Sequence, residues 1–277
     1  MLCTVLMGCQ SPNQILFSSG RNGNSDLFLM DSDGRNIKQL TNSPFEEWAP
    51  TIINDTEISF LRQEGKDVKR YKIDLRTKLE TRLNHPSNCI LDDKNIIYGP
   101  ISGRQLFQCK GDIFLADKNG ERIQNLTEDL PGQSFKADWF PDESKIVFSN
   151  NSTGNSEIYS FNFASKALIN LTNNPAMDEG AGISPDGEKM LFSSGREGNQ
   201  NMELFLMDLE TGELTNITNT PDWELIGRWS YDGKWIFFGS NKDGNWELYR
   251  YELKTKKTQR LTYSEAFDGD PRVLRKK

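Results

Sequence analysis

Acidic residues recur at one equivalent position along the chain, as Glu47, Asp178, Glu224 and Asp268, with Asn84 and Ser134 in the two remaining copies. Loops expected on the same side carry Phe45, Trp48, Trp223, Trp246 and Phe267. Four carboxylates around the mouth of a channel can attract a cation such as Ca²⁺ or a basic peptide segment. Aromatic side chains beside acids are the usual make-up of a contact surface for a protein or a glycan. The other use of each acid is local: it accepts backbone N–H bonds within its own loop and ties neighbouring units together. The two uses are compatible.

Residues suited to covalent or acid–base chemistry are few. His85, in Asn84-His85-Pro86, is the one histidine, which excludes multi-histidine metal clusters and leaves a single candidate general base. No Gly-x-Ser-x-Gly nucleophile elbow is present to pair with it. Neither Ser-x-Asp-x-Gly-x-Thr boxes nor an arginine cluster of sialidase type occurs. The reading therefore assigns no catalytic residue, and an enzyme becomes the alternative rather than the main expectation.

The elements that position these residues follow from a repeat. Leu-Thr or a close variant recurs as Leu40-Thr41, Leu83-Asn84, Leu126-Thr127, Leu171-Thr172, Ile217-Thr218 and Leu261-Thr262, in steps of 43, 43, 45, 46 and 44 residues. An apolar triplet ending in an aromatic keeps the same register: Ile15-Leu16-Phe17, Ile58-Ser59-Phe60, Ile96-Ile97-Tyr98, Ile146-Val147-Phe148, Met190-Leu191-Phe192 and Ile236-Phe237-Phe238. An acid-aliphatic-aromatic triplet follows in five copies: Asp26-Leu27-Phe28, Asp112-Ile113-Phe114, Glu157-Ile158-Tyr159, Glu203-Leu204-Phe205 and Glu247-Leu248-Tyr249. Turn chemistry such as Ser184-Pro185-Asp186-Gly187 and Asp243-Gly244-Asn245 separates the apolar runs. Asp31, Asp74, Asp117, Asn162 and Asp208 recur after the third run, where an Asx side chain can bond a turn backbone.

Four short strands fill each copy, and no segment has a helical period of useful length. A repeat of about 40–45 residues with four strands is one propeller blade. The expected fold is all-β: a six-bladed β-propeller of four-stranded antiparallel blades. Blade one begins at its second strand, and Asp268-Gly269-Asp270-Pro271-Arg272-Val273 matches Glu47-Trp48-Ala49-Pro50-Thr51-Ile52, which opens blade two. Val273-Leu274 should then supply the innermost strand of blade one. Closure of this kind removes two exposed sheet edges.

Ser184-Pro185-Asp186-Gly187, Met190-Leu191-Phe192-Ser193-Ser194-Gly195-Arg196, Glu203-Leu204-Phe205 and Ile217-Thr218 together resemble the TolB-type propeller repeat, over Ile15 to Val273. TolB proteins carry an additional N-terminal α/β domain, which is not expected in this sequence. The resemblance implies a periplasmic role beside a peptidoglycan-associated lipoprotein. Similar repeats occur in dipeptidyl-peptidase and oligopeptidase propellers, whose chemistry lies in a separate hydrolase domain. Oligogalacturonate lyase also has similar repeats, but its site depends on several histidines.

Composition narrows the partners. The 277 residues are 35% hydrophobic and 26% charged; 33 Lys and Arg against 40 Asp and Glu give a net charge of -7. A nucleic-acid partner normally demands a basic footprint, and none is visible. No apolar run is long enough for a membrane span. Residues 1–14 form an expected tail in which Leu6-Met7-Gly8-Cys9 resembles a lipoprotein signal, with Cys9 as lipid anchor. The apolar run is short and no basic residue precedes it, as expected if the true start lies upstream of Met1. Residues 15–277 form the expected propeller domain. Cys89 and Cys109 both fall in blade three and can form a disulfide in an oxidising compartment. Trp139 and Trp229 occupy inner-strand positions and are expected in the core, and Arg21 and Arg196, in matching Ser-Gly-Arg loops, are expected to pair with local acids.

The expected function is a monomeric, non-enzymatic scaffold, periplasmic or anchored to the outer membrane. It binds a protein or glycan of the cell envelope through Glu47, Trp48, Asp178, Trp223, Glu224, Trp246 and Asp268. No cofactor is expected, apart from Ca²⁺ in the channel under the alternative reading of a metal-dependent hydrolase or lyase.

Overall fold

The structure is a computed structural model and describes residues 13–84, 95–198 and 201–275. Cys9, His85 and Cys89 lie outside the described residues.

The chain runs through β1 (Asn13–Ser19), β2 (Asp26–Asp31) and β3 (Lys38–Gln39) into a second blade of β4 (Glu47–Asn54), β5 (Glu57–Glu64), β6 (Asp67–Asp74) and β7 (Glu80–Leu83). Blade three holds β8 (Ile97–Tyr98), β9 (Gln105–Cys109), β10 (Asp112–Ala116) and β11 (Gln124–Asn125). Blade four holds β12 (Ser134–Trp139), β13 (Lys145–Asn150), β14 (Glu157–Asn162) and β15 (Leu168–Asn170). Blade five is β16 (Asp178–Ile183), β17 (Lys189–Ser194), β18 (Glu203–Asp208) and β19 (Leu214–Asn216). Blade six is β20 (Glu224–Trp229), β21 (Trp235–Ser240), β22 (Glu247–Glu252) and β23 (Lys257–Arg260), and β24 (Asp268–Arg275) returns to blade one. Each of the six sheets has four antiparallel strands, and the first is ordered β24-β1-β2-β3. Val273 pairs with Ile15 and Leu274 with Gln14, which is the closure expected from the two chain ends. The seal has its own core, in which Ile15, Phe17, Phe28 and Val273 of blade one pack with Phe237 and Leu248 of blade six.

The recurrent Leu-Thr pair has a structural reason. The threonine hydroxyl accepts the backbone N–H of the aliphatic residue in the acid-aliphatic-aromatic triplet: Leu27 to Thr41, Ile113 to Thr127, Ile158 to Thr172 and Leu204 to Thr218, all at 3.0 Å, and Leu248 to Thr262 at 2.9 Å. In several blades the same hydroxyl donates to the triplet's acid, as Thr127 does to Asp112 at 3.0 Å and Thr218 to Glu203 at 2.7 Å. Two motifs share a register because they bond to one another where the outer strand ends. Asp74, Asp117, Asn162 and Asp208 each accept backbone N–H bonds from the turn that follows them.

Blade three departs from the expected register. Ile97–Tyr98 forms the innermost strand, and the second strand is Gln105–Cys109, in which Phe107 stacks on Phe114. The segment from Gly99 to Arg104 is therefore the turn between the first two strands. Its backbone is held by Glu143 of blade four, whose Oε1 accepts the N–H groups of Ile101 and Ser102 at 2.7 and 2.8 Å. Cys109 is disulfide-bonded, and Cys89, its expected partner, is outside the described residues. Among the described residues no helix is long and apolar enough to cross a membrane.

Candidate functional site

The four repeat acids open the innermost strands, and their first contacts are arginines and hydroxyls. Glu47, Asp178, Glu224 and Asp268 are all 0% exposed, so each carboxylate faces the seam between blades rather than solvent. Arg21 donates to Asp268 at 2.7 Å and Arg196 to Asp178 at 2.8 Å; Arg62 pairs with Glu47 and with Glu80. Blade six substitutes hydroxyls, and Glu224 Oε1 accepts from Thr220 at 2.7 Å and Ser240 at 2.8 Å. The arginines lie over the aromatic pairs of their own blades: Arg21 over Phe17 and Phe28, Arg62 over Phe60 and Tyr71, Arg196 over Phe192 and Phe205. Cross-strand aromatic, guanidinium and buried acid thus stack as one repeated unit. Arg21 and Arg196 play the local role that their sequence context suggested.

In three seams a carboxylate of the preceding blade and the inner acid repel one another. Glu47 raises the pKa of Asp26, Glu157 that of Asp178, and Glu203 that of Glu224, in each case after the larger effect of burial. Asp26 is pushed up to about 6, although Gln39 and Thr41 donate to it. The second oxygens of the inner acids (Glu47 Oε2, Asp178 Oδ1, Glu224 Oε2, Asp268 Oδ1) are buried and accept no hydrogen bond among the described residues. Among those residues, too, no three His, Cys, Asp or Glu side chains converge closely enough to hold a metal ion. Asn84 follows β7, and its carbonyl accepts from Arg70.

The surface above the seams belongs to the residues just before the acids. Met177, Trp223 and Phe267 directly precede Asp178, Glu224 and Asp268, and are 48%, 41% and 45% exposed. Phe45, two residues before Glu47, is exposed in the next loop round the ring. These residues occupy four successive interblade loops on one face. Trp48 and Trp246 are half-buried, and Trp246 packs across Gly239. Trp139 is buried and Trp229 half-buried against the blade-six core; each donates its indole N–H to the previous blade's innermost strand, at Ile97 O and Gly182 O.

Sequence reasoning expected a central channel and missed the residues that line it. All six blades line a central cavity of about 290 Å³ that includes Lys136, Asp138, Glu179, Arg228, Asp270 and Arg272. Five innermost strands carry a register-shifting bulge with one residue at positive φ: Ala49, Lys136, Gly180, Ile226 and Asp270. Only one of these is glycine, so the bulges leave no glycine signal in the sequence.

The architecture is that of a six-bladed β-propeller, similar in fold to TolB. No known family profile matches the chain. Among solved structures it is similar to TolB from Acinetobacter baumannii, with 17% identity and a TM-score of 0.81 over 96% of this chain and 68% of that one. A TolB candidate from Agrobacterium tumefaciens is similar at 15% identity and a TM-score of 0.72, over 96% of this chain and 99% of that one. An oligogalacturonate lyase in complex with manganese is similar at 17% identity and a TM-score of 0.56, over 82% of this chain and 71% of that one. At these identities the likeness is one of fold.

Proposed function

We propose that this propeller is a non-enzymatic binding scaffold of the bacterial cell envelope, contacting a protein or glycan through the face that bears Phe45, Met177, Trp223 and Phe267. The observation that carries this reading is the placement of four exposed apolar side chains in four successive interblade loops. Large apolar side chains grouped on one face of a soluble disc are a common mark of an interaction surface. Trp48 and Trp246 flank them, and the buried acids Glu47, Asp178, Glu224 and Asp268 hold the loops from beneath. The repeated arginine–acid stacks order the loops before any partner arrives, so little conformational entropy is lost on binding. The likeness in fold to TolB supports an envelope setting.

The test is retention from bacterial envelope extract on the immobilised protein. Trp223→Ala combined with Phe267→Ala should strip the main retained band about tenfold or more. Tyr231→Ala, in a turn on the other side of the disc, should leave it unchanged. Equal retention by the double variant and the parent refutes the assignment of this face.

A further inference from the structure

The channel has one level at which its charges are unbalanced by direct contact. Thr51, Asp138, Gly182, Arg228 and Arg272 each lie four residues beyond the first residue of their innermost strands, so they share a depth in the ring. Arg228 and Arg272 come from adjoining blades. Arg228 donates Nη1 to Gly227 O at 3.0 Å, and its buried Nε has no acceptor. Arg272 donates Nε to Pro50 O at 3.0 Å. Among the described residues neither guanidinium has a carboxylate within ion-pair distance, in contrast to Arg21, Arg62 and Arg196 at the seams.

The nearby acids Asp138 and Asp270 favour the charged forms of both arginines from a distance, and their hydrogen bonds go to other groups. Asp138 accepts the Trp139 N–H at 2.8 Å, Asp270 accepts from Ser18 at 3.4 Å, and Glu179 pairs with Lys136. Burial, followed by the charge of Arg272, pulls Arg228 down to about 9, and burial also lowers Arg272. Two cations held this way gain from an anion placed between them.

At the same depth the ring is open beside Gly182, which has no side chain. A Cβ placed there would come no nearer than 3.9 Å to Asp138 Oδ2 and 4.0 Å to Gly227 O. The remaining wall is largely apolar, with Ile97, Leu106, Ala137, Ala181 and Leu225 around the same cavity. An inorganic anion would satisfy the arginines and leave that wall in water. We propose that the channel binds a small organic carboxylate, its head group between Arg228 and Arg272 and its apolar body against Ile97 and Leu225. The site lies inside the ring and is separate from the loop face assigned above.

The experiment is a ligand-observed NMR titration of the full chain with hexanoate, hexanamide and inorganic phosphate. Hexanoate should bind saturably, and about tenfold or more tightly than hexanamide, which has the same body without the charge. Arg228→Gln should weaken hexanoate by about the same factor. Arg272 lies in the closing strand, so the second variant is Gly182→Leu, which fills the space and leaves both arginines in place; it should abolish binding. Equal affinity for hexanoate and hexanamide, parental affinity in either variant, or binding of phosphate without hexanoate would overturn the proposal.

Discussion

Replacing Asp26 by Asn should make the protein more stable at neutral pH and flatten its response to mild acid. Asp26 is 1% exposed, and burial together with the Glu47 carboxylate across the seam pushes its pKa from 3.8 to about 6. An acid whose pKa is higher in the folded chain than in the unfolded chain binds more protons when folded. Stability from this group is therefore fully present below about pH 4 and falls as pH rises through 6. A rise from 3.8 to about 6 corresponds to about 3 kcal/mol lost at pH 7.5. Water reaching the loop reduces that figure, so a gain of about 1 to 3 kcal/mol is expected for the neutral amide.

The amide keeps a carbonyl to accept from Gln39 and Thr41, which donate to Asp26 at 2.9 and 3.5 Å. It also brings a donor to the side of the seam on which Glu47 Oε2 lacks one. Urea denaturation of parent and variant at pH 5.0 and pH 7.5 measures the effect. The variant should be the more stable at both pH values, with an advantage at pH 5.0 about half of that at pH 7.5. Taking the difference cancels every titration common to both chains. A variant less stable than the parent by the same amount at both pH values would show that the Asp26 carboxylate stabilises the seam, and the electrostatic account would fail.

Three further outcomes follow from the same architecture. Arg196→Ala removes the partner of the fully buried Asp178 and should cost about 3 kcal/mol in urea melts, and Asp178→Asn in the same chain should recover part of it. A chain ending at Phe267 lacks β24, exposes the edge of β1 and uncovers Ile15; it should show no cooperative thermal transition by circular dichroism. Titration with Ca²⁺ should give no saturable heat, because the seam acids accept from arginines and hydroxyls; tight binding abolished by Glu47→Ala and Asp268→Ala would restore the metal-dependent alternative.

The blade count and the closure were legible because each rests on several copies. Thr41, Thr127, Thr172, Thr218 and Thr262 perform one task, and a residue with one task recurs at one spacing. Blade three shows where that reasoning fails. The triplet Ile96-Ile97-Tyr98 imitates a second strand, yet Phe107 is the residue that meets Phe114 across the sheet. The repeat also marked the acids without revealing which way they face. Their partners do not stand at one spacing: Arg62 is 15 residues from Glu47, Arg196 is 18 from Asp178, and Arg21 is 247 from Asp268. The channel arginines escaped notice for a different reason. A bulge before each of them shifts the in–out alternation, and a non-glycine residue at positive φ, such as Ile226 at 58°, carries no mark in the sequence.

The buried acids and the exposed aromatics are two sides of one local arrangement. Trp223, Phe267 and Met177 are the last loop residues before the strands begin: where Glu224 enters the seam to meet Thr220 and Ser240, Trp223 stays in the loop above it, as do Phe267 above Asp268 and Met177 above Asp178. Burying a carboxylate is costly unless hydrogen bonds hold it, so this orientation is strongly determined once the arginine or hydroxyl is in place. The seam chemistry therefore fixes the display. A variant that releases an acid, such as Arg196→Ala beneath Met177, should loosen the loop above it as well as the fold, whereas Trp223→Ala should alter the surface alone.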